Sequence, residues 1–165
     1  MKKDLLAKQI KEKKILILFA GGGVNIVFGL LLYFVIVLIN SNLPNAAIGT
    51  IKFMGTILEG VKELFTGSVG IEQFTGPVGI SEIVSQTTNI FNYIYIISVV
   101  SISLGVTNLL PFPPLDGGKI MLLIIETIIR KPIKENVNNA IQMTGFILIM
   151  GLALLVTFND VMRIF

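Results

Sequence analysis

Residues 108–118 read NLLPFPPLDGG, set between an uncharged apolar run, Ile90 to Leu110, and a second one, KIMLLIIETII at 119–129. Three prolines, two glycines and a carboxylate therefore fall between two hydrophobic segments. Prolines 111, 113 and 114 lack backbone donors and disfavour helix for the residues before them. Non-helical backbone at membrane depth is tolerated only where it is buried in protein or lines a wet cavity. An ionisable residue in such a place is by default a functional candidate, and Asp116 is that residue. Its structural alternative is a helix N-cap, accepting N–H bonds at the positive end of a helix that starts near Gly117.

The rest of the chain has the composition of an integral membrane protein. Its 165 residues are 53% hydrophobic and 14% charged, with a mean hydropathy of +0.86, whereas soluble domains are about a quarter charged. Cys, His and Trp are absent, which excludes disulfides and removes the two best zinc-binding side chains. The net charge of +3 is concentrated in six lysines among the first 14 residues and in Arg130, Lys131 and Lys134. Each basic patch adjoins a long apolar segment, so both read as membrane anchors facing the cytoplasm, and nucleic acid is not expected as a partner.

Ile15 to Ile39 spans 25 residues, enough to cross a hydrocarbon core of about 30 Å. It contains GGG at 21–23 and Asn25, a pattern that close helix packing with an interhelical hydrogen bond would explain. Residues 40–89 form an extracytoplasmic connection. NSNLPN is a turn signal, IGTIKFMGTILEGVKELF an amphipathic helix on the membrane or against its neighbours, and TGSVGIEQFTGPVGI a loop or short extended stretch. Residues 90–130 read as one crossing broken at 108–116, and 141–158 as a third. Glu126 is read as an interfacial residue paired with Arg130, four positions on. The expected fold is all-α: about three crossings, one of them broken, plus an amphipathic surface helix, in a single multi-pass domain with its N-terminus in the cytoplasm.

The signature NLLPFPPLDGG resembles the Asn-x-x-Pro-x-Pro-x-Leu-Asp-Gly-Gly motif of the site-2 protease family of intramembrane zinc metalloproteases. TGPVGI at 75–80 resembles a second family stretch that includes Gly76 and Pro77. FAGGGVN at 19–25 resembles the family's Ala-Gly-Pro-x-x-Asn helix start, with Gly22 where proline is usual. The resemblance covers nearly the whole chain. It implies that Asp116 is the third zinc ligand, beside two histidines of a His-Glu-x-x-His helix whose glutamate is the general base. It also implies that Asn108, Pro111, Pro113 and Asn25 meet an unwound transmembrane substrate, and that Gly117 and Gly118 shape the break.

A chain without histidine has no such helix, so none of its own residues is expected to be catalytic. Zinc is expected only if another segment, the family's N-terminal catalytic helix, supplies the histidines. The connection over 40–89 is also too short for the PDZ domain that bacterial members often carry there. The chain thus resembles the C-terminal portion of a site-2 protease and is expected to be inactive alone. Two other readings stay open: a non-catalytic membrane binding protein that keeps the substrate clamp, and a small transporter subunit, since broken helices also build ion sites.

Overall fold

The computed structural model describes residues 2–67 and 75–164, and these form six helices with no strand among them. The helices are α1 (Lys2–Asn40), α2 (Leu43–Thr66), α3 (Pro77–Ser85), α4 (Ile90–Leu109), α5 (Asp116–Ile129) and α6 (Glu135–Ile164). Three stretches are long and apolar enough to cross a membrane: Lys11–Asn40, Ile90–Leu109 and Glu135–Arg163. The chain divides into two compact units, one of residues 1–27 and 103–148, the other of residues 28–102 and 149–165.

In the second unit, α1 ends where NSNLPN begins. The Asn40 and Ser41 side chains donate to the carbonyls of Ile36 and Val37 at 2.8 and 2.6 Å, closing off acceptors the last turn leaves open. The Asn42 side chain then accepts from the Asn45 amide at 3.1 Å and caps α2, with proline in its first turn. So tight a connection folds α2 back along α1. Gly49 lies against Val37, and Phe53 stacks on Tyr33 at 4.0 Å, with Tyr95 of α4 6.1 Å from both rings. The amphipathic helix is present, and its first half packs against α1 and α4 through Gly49 and Phe53, with Ala46 fully buried.

Helices α1 and α4 meet through their backbones. A Cβ at Gly29 would lie 2.7 Å from the Ser98 carbonyl and 2.5 Å from Ile102. The Ser98 hydroxyl donates to the Gly29 carbonyl at 2.7 Å, and Ser98 and Ile102 are fully buried. Without a hydrophobic driving force between helices in lipid, such close approach supplies the dispersion energy that holds them.

Residues 77–80 differ from the loop or extended form expected of them, whereas Gly76 just before them is extended. Pro77 opens α3, because its fixed φ and missing N–H suit a first helical turn, and the helix runs on through SEIVS. The preceding residues 68–74 lie outside the described residues.

In the first unit the contacts run in order. Gly105 meets Gly22 and Ile26, Leu109 meets Gly22, Asp116 meets Gly21, and Lys11 pairs with Glu126 at 3.2 Å. The end of α4, the break and α5 therefore follow α1 in one direction, antiparallel to it. The non-helical segment is shorter than 108–116: only residues 110–115 leave helical geometry, and Asn108 lies in the last turn of α4. Helix restriction reaches only the residue preceding each proline, so it extends to Leu110 and no further back. Helix α4 thus reaches about 30 Å before the break begins.

Candidate metal-ligand site at the helix break

Two short hydrogen bonds shape the break: the Phe112 amide donates to Leu110 at 2.7 Å and the Leu115 amide to Phe112 at 2.9 Å. The Pro113–Pro114 bond is cis. The first turn of α5 then presses directly onto this backbone. A Cβ at Gly117 would overlap the carbonyls of Leu109 and Leu110, and one at Gly118 would lie 2.6 Å from the Phe112 carbonyl. Both glycines are buried. From the other side Gly145 of α6 abuts the Pro113 carbonyl so closely that any side chain would collide with it. The double glycine of the signature and a glycine 27 residues further on thus both press on the backbone of the break.

Asp116 is the first residue of α5. It is not the N-cap: that position belongs to Leu115, and no side chain caps the helix there. The carboxylate lies in the first turn, where the helix dipole favours negative charge. Its Oδ1 pairs with Lys119 Nζ at 3.0 Å, one turn along, and its side chain keeps 29% of its exposure. Its Oδ2 faces α1, where a Cβ at Gly21 would sit 3.2 Å away. Asn25 follows Gly21 by four residues and so shares that face of α1; it is half-buried, as is Asn108. Pro113 is held against Gly145, while Pro111 is exposed. Gly76 and Pro77 belong to the other unit, at the start of α3.

Glu126 does not pair with Arg130. Arg130 ends α5 in a left-handed conformation, φ 56°, and so leaves the helical spacing that would bring it back one turn. Glu126 instead pairs with Lys11 and accepts the Ile133 amide at 3.0 Å, fixing the connection to α6. Beside this pair a groove of about 710 Å³ opens among α1, α5 and α6, lined by Lys14, Leu18, Lys119, Leu122, Glu126 and Gln142.

Among the described residues no three His, Cys, Asp or Glu side chains come together. With no histidine or cysteine anywhere in the sequence, Asp116 alone does not make a zinc site, which takes at least three protein ligands. The break places one carboxylate, Asp116, at a defined position against α1. The sequence reading did not identify three residues that matter here. Lys119 was legible as a cation one helical turn from Asp116. Gly145 and the buried Asp160 of α6 gave no local signal.

The comparison with known proteins bears on the signature itself. Residues 1–152 match the family described as Peptidase family M50. The zinc metalloprotease RasP of Shouchella clausii is 39% identical over 117 residues, covering 70% of this chain and 28% of that protein. The regulator of sigma-W protease RasP of Bacillus subtilis is 38% identical over 121 residues, covering 72% of this chain and 29% of its own length. The zinc metalloprotease RasP of Oceanobacillus iheyensis is 38% identical over 111 residues, covering 66% and 26%. The matched region is thus little more than a quarter of each relative. A match running from the basic start of α1 into α6, across the proline break and Asp116, leaves one assignment: the chain belongs to peptidase family M50.

Proposed function

We propose that this chain is the membrane-embedded, aspartate-bearing part of an intramembrane zinc metalloprotease that cleaves transmembrane proteins. The observation that carries this reading is the position of Asp116: immediately after the break that follows the span-length helix α4, with one oxygen aimed at α1 and the other on Lys119. Two histidines and a general base come from a separate helix of the His-Glu-x-x-His type, and the 165 residues in hand are inactive without it. A zinc ion held by Asp116 and those two histidines would supply Lewis-acid polarisation of a carbonyl and activation of a water. The chain's own residues hold the ligand in place and receive the substrate.

Three of the six residues in the break lack an N–H, so the segment has more acceptors than donors. Unwinding a substrate helix frees amide N–H groups that need acceptors, and the break can offer the carbonyls of Pro111 and Pro114, since those of Leu110, Phe112 and Leu115 accept amides of the chain itself and that of Pro113 is covered by Gly145. Asn108, one position before the end of α4, adds a side chain that can both donate and accept. Co-expression with the histidine-bearing helix, followed by a cleavage assay, tests this division of labour. Asn108→Ala is expected to lower cleavage about tenfold while leaving bound zinc unchanged. Equal cleavage by the variant and the parent would remove Asn108 from the substrate site.

The protein resides in the membrane, given its family and its three span-length helices. Its topology is part of the proposal: α1 starts in the cytoplasm, residues 130–134 return there, and α2 and α3 face outside. The absence of cysteine makes single-cysteine labelling free of background. An impermeant thiol reagent is expected to label Glu63→Cys in intact cells, and Lys13→Cys and Lys131→Cys only after permeabilisation. The reverse pattern would invert the topology.

A further inference from the structure

Asp160 is 3% exposed, near the end of an apolar helix, where a carboxylate needs a compensating partner. That partner lies 81 residues away: Oδ2 accepts the Gly79 amide at 2.9 Å. Gly79 is the third residue of α3, whose N-cap is Gly76 and has no side chain to offer. Helix starts leave several amides unsatisfied, and an Asp, Asn, Ser or Thr at the N-cap normally takes one of them. Here the cap position is empty because its space is taken. A Cβ at Gly76 would lie 2.8 Å from Asp160 Oδ2 and 3.0 Å from Val156, and one at Gly79 would lie 3.2 Å from Oδ1.

We infer that Asp160 is the N-cap of α3 supplied from α6, and that Gly76 and Gly79 are glycines in order to admit its carboxylate. The stretch TGPVG is then a receptor for a side chain of the same protein. Proline at the first helical position contributes no N–H, which leaves the later amides of the turn to meet the carboxylate. The contact is a latch: it fixes α3 on α6 through one buried charge and one helix end. Asp160 acts as a positioning residue. The inference stands independently of the proposed protease reading, since it concerns neither metal nor substrate.

The test is hydrogen–deuterium exchange of the full 165-residue chain in lipid nanodiscs, read on peptides covering 76–85. Asp160→Leu is expected to accelerate exchange in α3 at least tenfold and to leave residues 22–29 of α1 unchanged. Asp160→Asn keeps an acceptor oxygen in the same place and is expected to stay within about threefold of the parent. The decisive variant is Gly76→Ser. With Asp160 present the new side chain collides with the carboxylate, and exchange accelerates. In an Asp160→Ala background the serine has room to cap α3 from its own N-terminus, and exchange slows relative to Asp160→Ala alone. Loss of packing would not produce that change of sign. If Gly76→Ser shifts exchange the same way in both backgrounds, or Asp160→Leu leaves α3 protected, the inference is wrong. Should Asp160→Leu fail to fold, the Asp160→Asn and Gly76→Ser variants decide it. Near-parental exchange in the first with acceleration in the second supports the latch, and any other pair of results overturns it.

Discussion

Replacing Gly145 with leucine is expected to cost about 3 kcal/mol of stability, while the same replacement at Gly151 raises it by up to about 1 kcal/mol. Both glycines lie in α6, and leucine is the better helix former at each by nearly 1 kcal/mol. The difference lies in what the side chain meets. At Gly151 nothing lies within 4 Å. At Gly145 the new atoms fall on the carbonyl of Pro113, which is backbone in a segment where prolines restrict any adjustment. The helix must move off the break, or the break must change shape, and Asp116 follows three residues later. Reversible unfolding in mild detergent, compared across the parent and the two variants, measures this directly. Equal stability of the two variants would show that α6 does not clamp the break.

How much of this was legible in the residues varies from element to element. The three long apolar helices and the turn at NSNLPN were plain, because hydropathy and cap chemistry are local properties. Three prolines in four residues marked the break, though they overstated its length, since the pre-proline restriction does not reach Asn108. PVGI reads as loop or extended stretch because the glycines beside and within it suggest irregular backbone, yet it is helical. Their actual reason is Asp160, 81 residues on, and no local pattern carries that information. The Glu126–Arg130 pair failed for a similar reason. Spacing predicts it only while the helix continues, and Arg130 is where it stops. The GGG at 21–23 proved partly a packing device. Gly22 meets Gly105 backbone to backbone, whereas Gly21 faces the Asp116 carboxylate. One glycine run thus serves both the helix crossing and the candidate site.

The role of Asp116 has the largest functional consequence. If it is a zinc ligand, its loss leaves two histidines from the partner helix, too few to hold a catalytic zinc. Removing even the groups that only orient a ligand commonly lowers metal affinity 10–100-fold, so removing the ligand itself is expected to cost at least about 100-fold. Lys119 makes the assignment sharper. It now neutralises the carboxylate at 3.0 Å, and a metal ion would replace that ion pair. Lys119→Ala therefore should not abolish zinc retention, whereas a purely structural Asp116–Lys119 pair would make the two substitutions equivalent.

The direct measurement is zinc content, by elemental analysis, of the purified assembly of this chain with a helix carrying His-Glu-x-x-His. The parent and Lys119→Ala assemblies are expected to retain close to one zinc per complex, and the Asp116→Ala assembly essentially none. Full zinc in the Asp116→Ala assembly would contradict the account and leave this aspartate as the ion-pair partner of Lys119 alone.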